Sequence, residues 1–255
     1  MKRYIVFLKQ VPKSTKVGID PVTKTLKRSS AMSRTNPDDL CALQAALDMK
    51  KATGAEVVAV SMGPQSAEAV LREALQHGAD RAVLLSSRAF AGSDTWCTSL
   101  VLATAARKIG YDVLFFGRMA VDGDTAQVGP EVAGHLGIPQ ITGTLSIDGC
   151  DEESLTVTRD NGESVQQLRV AMPCAIVAGK EFTVNPPTLE GWRRAQKQYI
   201  ECWNEDDLAV SRSEVGLQAS PTKVVTTEVV DSRKDTQWIK EASEFAGAVV
   251  RCAGE

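Results

Sequence analysis

Short apolar runs separated by amphipathic stretches recur along the first two thirds of this 255-residue chain, and that rhythm restricts the fold more than any other feature. Tyr4 to Leu8, Glu56 to Met62, Arg81 to Leu85 and Val113 to Phe116 read as strands, each apolar enough to be covered on both faces. Between them lie helical segments. Asn36 to Lys51 has Asn36 as N-cap, Pro37 at the first helical position and Asp38 and Asp39 in the first turn. A second helix starts near Ser66, carries the stripe Ala67, Val70, Leu71, Ala74 and Leu75, and stops at Gly78. A third starts at Ser93 or Asp94 and stops at Gly110. Strands that alternate with helices in this way predict an α/β fold, a doubly wound parallel sheet.

After Pro139 the pattern changes. Gln140 to Ile147, Ser154 to Thr158 and Val165 to Ala171 read as short antiparallel strands, with Asp160-Asn161-Gly162 as a hairpin signal, and Cys174 to Ala178 as one more buried strand. Beyond Glu181 the compact pattern fades. Asn185-Pro186-Pro187 is not helical, Trp192 to Glu205 is a charged helical segment, and Thr236 to Val250 carries Trp238, Ile239, Ala242 and Phe245 along one side. These features predict an α/β nucleotide-binding domain over 1–184 and, over 185–255, an arm that packs on another subunit or forms a mobile appendage.

The segment DVLFFGRMAVDGDTAQVGP, Asp112 to Pro130, carries the chemistry. A buried strand ends at Gly117, so its exit lies at the carboxyl edge where open α/β sheets bind ligands. Gly123 lets the backbone turn or approach a ligand, Asp124 or Thr125 caps the next helix, and the free amides of that helix's first turn attract phosphate. The same residues also describe an ordinary strand-to-helix turn. Pro130 is expected to remove one helical hydrogen bond and bend the helix.

The net charge of −3 gives nucleic acid no electrostatic purchase. The apolar run before Lys9 is too short for a signal-peptide core or a membrane span, which predicts a cytoplasmic protein. Six cysteines without a C-x-x-C pair, and two distant histidines, suggest no metal site; most of the thiols are expected to be small buried apolar groups, and His77 and His135 cations at helix ends. The glycine signatures of a Rossmann dehydrogenase and of an adenylating enzyme are absent. A nucleotide-binding stress or signalling protein shares such a sheet, but its G-x-x-G phosphate loop is also absent.

KQVP at Lys9 to Pro12, NPDD at Asn36 to Asp39, the run from Ser61, FGRMAVDGDTAQVGPEVAGHLGIPQIT from Phe116 and NPPTLEG at Asn185 to Gly191 together resemble the β subunit of electron-transfer flavoproteins. The resemblance implies an adenine-nucleotide hydrolase-like domain, an α-subunit partner that carries a flavin, and an adenine nucleotide in the β chain itself. That nucleotide is AMP in simple carriers and FAD in members that oxidise NADH and split its electrons; the Asp122-Gly123-Asp124-Thr125 form of the loop resembles the second group. Carried over by motif, the pocket involves Phe7, Lys9, Asn36, Pro37, Asp38, Asp39, Met62, Gly63 and the loop of Val121, Asp122, Gly123, Asp124, Thr125, Ala126, Gln127, Val128 and Gly129. Arg118 either supports the flavin ring or forms a surface salt bridge. In such members electrons pass through the α-subunit flavin to a dehydrogenase, for example one acting on acyl-CoA or hydroxy acids, with ferredoxin or flavodoxin as second acceptor. No catalytic side chain is required, because the flavin does the chemistry. Leu189 matches the apolar anchor that docks electron partners, or packs on its own tail; the lysine-rich run that often follows is replaced by Trp192-Arg193-Arg194.

Overall fold

The computed structural model describes residues 1–13 and 33–224, and Met1 to Lys223 form one compact unit. The helix expected over Thr236 to Val250, with Trp238, and Cys252 lie outside the described residues.

In chain order the elements are β1 (Arg3–Phe7), β2 (Gln10–Pro12), β3 (Ser33–Thr35), α1 (Pro37–Thr53), β4 (Glu56–Met62), α2 (Glu68–His77), β5 (Arg81–Leu85), α3 (Thr95–Ile109) and β6 (Val113–Gly117). Then follow α4 (Val128–Leu136), β7 (Gln140–Cys150), β8 (Ser154–Asp160), β9 (Val165–Ala171), β10 (Cys174–Ala178), α5 (Leu189–Lys197), β11 (Glu201–Trp203), α6 (Glu205–Leu208) and α7 (Gly216–Ala219). The main sheet runs β11-β5-β4-β1-β6-β10-β7-β8-β9. From β11 to β7 neighbouring strands are parallel; β7, β8 and β9 are antiparallel, and β2 and β3 form a separate antiparallel pair.

Burial explains the layering. In β1, Tyr4 and Val6 face a core built with α1, α2 and α5, whereas Ile5 and Phe7 face one built with α3 and α4. A strand that is apolar at successive positions needs cover on both faces, and the helices supply it. This is the doubly wound α/β fold with an antiparallel extension. The chain steps from β1 outward to β4 and β5, then returns through α3 to β6 on the other side of β1. The direction of winding therefore reverses between β1 and β6, and the crevice of an open α/β sheet forms at that reversal.

Several expectations change at the level of caps. α1 begins after Asn36 as predicted, but the Asn36 side chain makes no cap bond. Ser66 is not the cap of α2, since a 3-10 turn over Gln65–Ala67 leads into a helix that starts at Glu68. Asp94 does cap α3, accepting from the Cys97 amide at 3.0 Å. Neither Asp124 nor Thr125 caps α4, whose N-cap is Gln127. Pro130 then falls in the first turn, where amides have no helical acceptor, so it removes no hydrogen bond.

The loss of apolar rhythm after Glu181 does not end the compact unit, which continues to Lys223. α5 lies on α2, with Ala195 in the core and Gly191 so close to the Gln76 carbonyl that a Cβ would overlap it. The charged segment expected to be helical to Glu205 instead stops at Lys197. Glu201–Trp203 then adds a parallel edge strand to β5, and Ser220 and Thr222 hydrogen-bond to Asp94. Only two of the five described thiols, Cys97 and Cys174, are buried; Cys41 is half-buried, and Cys150 and Cys202 are exposed. His77 and His135 both stand in last helical turns. Among the described residues, no helix is long and apolar enough to cross a membrane, and no group of three or more His, Cys, Asp or Glu could hold a metal ion.

Candidate functional site

The crevice at the winding reversal is built from the exits of β1 and β6 and the first turn of α1. Phe7 and Phe116, the last large side chains of the two strands, stack at 4.7 Å with their rings 12° from parallel. Both are buried, and they form its floor. Gly117 follows, and a Cβ there would run into the backbone of Asp38 and Asp39. Glycine at this position lets the N-terminus of α1 seat directly on the end of β6. Gly129 does the same for α4, since a Cβ would lie 3.2 Å from Phe116 and Val177.

The polar groups then fall into place. The Lys9 amide donates to Asp39 Oδ2 at 2.7 Å, and the Asn36 amide donates to the Lys9 carbonyl at 2.9 Å, which fixes the exit of β1 on α1. The Asn36 side chain turns toward the other strand, donating to the Met119 carbonyl at 2.9 Å and accepting from the Val121 amide at 3.2 Å. Lys9 Nζ meets Asp122 Oδ1 at 2.7 Å across the crevice, with the Asp122 side chain only 5% exposed. Arg118 approaches Asp38 at 3.5 Å, a long and partly exposed pair. Burial pushes the Asp39 carboxyl up to about 7, against the lowering effects of the Asn36 side chain and of the Lys9 amide and charge.

The loop itself differs from the expected geometry. Gly123 has no positive φ and open space where a Cβ would stand, so neither a left-handed turn nor close packing requires glycine there. Positive φ falls instead on Asp124 at 49° and Ala126 at 55°. Asp124 and Gly123 donate to the Ala120 carbonyl, at 2.9 and 3.2 Å, closing the first turn of the loop. Beyond it the amides of Thr125, Ala126 and Gln127 have no acceptor among the described residues. Ala126 with positive φ precedes Gln127 in the right-handed region, a change of hand that turns successive amides toward one point and favours an anion. Val128 and Gly129 open α4 directly behind them.

The predicted residues thus divide into three groups. Lys9, Asn36, Pro37, Asp38, Asp39, Arg118, Val121 and Asp122 are brought together in one network or its immediate turn; Asp124 to Gly129 form the exposed loop and the start of α4; Met62 and Gly63 leave the neighbouring strand β4, where the Gly63 amide bonds to Leu85. Leu189 stands apart at the start of α5, 66% exposed. Reading the sequence missed the roles of Gly117 and of the Met119 and Ala120 carbonyls. A glycine directly after two buried phenylalanines was the available signal for Gly117; backbone carbonyls leave none.

Over residues 23–208 the chain matches the family model of the electron transfer flavoprotein domain. The chain belongs to the electron-transfer flavoprotein β-subunit family. It is 44% identical over 232 residues to the electron transfer flavoprotein subunit beta of Thermoanaerobacterium thermosaccharolyticum, covering 90% of this chain and 89% of that one. It is 41% identical to the corresponding subunit of Clostridium acetobutylicum, over 96% and 95% of the two chains. The caffeyl-CoA reductase-Etf complex subunit CarD of Acetobacterium woodii is 42% identical, over 97% of this chain and 96% of its own. As a member of this family, the chain is an electron-transfer subunit, and β subunits of the family pair with an α subunit.

Proposed function

We propose that the crevice between β1 and β6 binds FAD, and that this chain is the NADH-oxidising β subunit of an electron-transfer flavoprotein. The observation that carries this reading is the run of three loop amides, Thr125 to Gln127, which have no acceptor among the described residues and stand at the carboxyl edge of the winding reversal. Donors that converge there suit a pyrophosphate, and the dipole of α4 adds to them. Two of the acidic residues nearby do not oppose an anion with their full charge. Asp122 is paired with Lys9, and Asp39, titrating near 7, carries only part of its charge at neutral pH. The stacked Phe7 and Phe116 keep water from the floor, and Arg118, loosely held by Asp38, can reach a ligand at modest cost.

When bound, a flavin accepts a hydride from NADH and releases electrons one at a time. This chain's residues supply binding and orientation, so no nucleophile or acid-base pair is needed. Electrons are proposed to leave through the α-subunit flavin to a partner dehydrogenase, with ferredoxin or flavodoxin as second acceptor. The relative named as a subunit of a caffeyl-CoA reductase-Etf complex supports an enzyme acting on an acyl-CoA as that partner. Leu189, exposed at the start of α5, is proposed as the apolar anchor for it.

Counting flavin in the gently purified complex with the α subunit tests the reading. Two flavins per heterodimer, and bleaching of flavin absorbance on anaerobic addition of NADH, are expected. One flavin with AMP and no bleaching would mean a simple carrier in which AMP occupies the same crevice. No nucleotide in this chain would overturn the site.

A further inference from the structure

Asn36 is fully buried, and every polar part of it is committed to the protein. Its backbone amide holds the Lys9 carbonyl, its carboxamide oxygen accepts from Val121, and its carboxamide nitrogen donates to Met119. Nothing remains to touch a ligand. Yet the residue bridges the exits of β1 and β6, through Lys9 on one side and through Val121, 85 positions further along the chain than Asn36, on the other, and both exits bound the crevice. On the β6 side its partners, Met119 and Val121, flank Ala120, whose carbonyl closes the turn that leads to the amides of Thr125, Ala126 and Gln127. Asp39, one turn along α1, makes the matching bond to the β1 side through the Lys9 amide.

We infer that the first turn of α1 is a clasp in which Asn36 is a positioning residue, setting the phosphate-facing loop by holding Met119 and Val121 rather than by contacting the nucleotide. The inference rests on the proposed use of the crevice as a nucleotide site and adds what holds that site in shape. It also accounts for the lack of a side-chain cap on α1. Asparagine is among the preferred capping residues, and here its side chain is diverted from its own helix to a distant loop. The local cost is small, since Pro37 brings no amide to the first turn and the Asp39 amide bonds to the Asn36 carbonyl at 3.1 Å.

The full chain in complex with its α subunit, stripped of nucleotide and titrated separately with AMP and with FAD, provides the test. Alongside it, hydrogen exchange is followed in the peptide covering 118–128 without added nucleotide. Asn36→Ala removes both loop bonds, whereas Asn36→Asp keeps an acceptor for Val121 and loses the donor to Met119. Affinity should fall about tenfold or more in Asn36→Ala and by less in Asn36→Asp, with loop exchange rising in the same order. A merely structural residue would raise exchange across α1 and the sheet together, and a ligand-contacting residue would lower affinity without loosening the empty loop. Either pattern overturns the inference, as does unchanged affinity in both variants. If Asn36→Ala fails to fold, Asn36→Asp decides by the same two readouts. Failure of the parent complex to bind either nucleotide would instead refute the nucleotide site.

Discussion

Two glycines in the same loop region have opposite roles. Gly117 has no room for a side chain, because the backbone of Asp38 and Asp39 occupies it, whereas Gly123 faces open space with ordinary backbone angles. Gly117→Ala should therefore destabilise the fold by about 1 to 3 kcal/mol, as overpacking does, and Gly123→Ala should stay within about 0.5 kcal/mol of the parent. Urea unfolding midpoints of the two variants compare them directly, and equal midpoints would show that α1 yields freely at β6. Asp39 makes a second prediction. Its carboxyl titrates near 7 in the folded chain against 3.8 in the reference state, so the folded protein keeps a proton that the unfolded chain gives up. The stability tied to this proton is fully present below about pH 4 and is lost as pH rises to 7. Asp39→Asn removes that dependence while leaving an acceptor for the Lys9 amide. Its melting temperature relative to the parent should climb between pH 4 and pH 7 and level off above. A constant difference across that range would mean that the folded carboxyl titrates normally.

Among the elements, the parallel strands were the most legible in the sequence, because continuous apolar runs need two covered faces and few folds provide them. β4, β5 and β10 have the bounds that the residues suggested, as does the antiparallel β9. Less legible were structures fixed by remote contacts. β11 is three residues long, with exposed Cys202 at its centre, and exists because β5 offers a free edge. The loop of the candidate site is similar: its acidic, glycine-bearing composition was visible, but positive φ falls on Asp124 and Ala126 rather than on its glycine, and the clasp through Asn36 joins positions 85 residues apart. α5 permits a test at this scale. Thr188 accepts from the Gly191 amide at 3.0 Å, capping a helix whose glycine is pressed on α2. Thr188→Ala should cost about 1 kcal/mol, measured as a shift in the urea midpoint, and should raise exchange at the Gly191 amide. Unchanged protection there would show that packing on α2 alone holds the turn.

For the molecule as a whole, the exposed side of α5 is proposed as the place where the electron partner meets the subunit. Leu189→Ala should leave flavin content and reduction by NADH unchanged. It should raise the half-saturating concentration of partner dehydrogenase about tenfold, corresponding to roughly 1 to 3 kcal/mol of apolar burial made only in the complex. Identical partner kinetics would remove Leu189 from the docking face. The winding reversal also sets an order in time. Lys9 and Asp122, the two ends of the ion pair across the crevice, are 113 residues apart, and the loop amides follow later still. A chain emerging from the ribosome exposes β1, α1, β4 and β5 while half of the crevice is still untranslated, so any early association of these elements proceeds without help from a nucleotide in that crevice. On the proposed use of the crevice, a ligand is retained only once α4 has been made, so nucleotide retention would mark synthesis completed through α4 rather than template the strands that precede it.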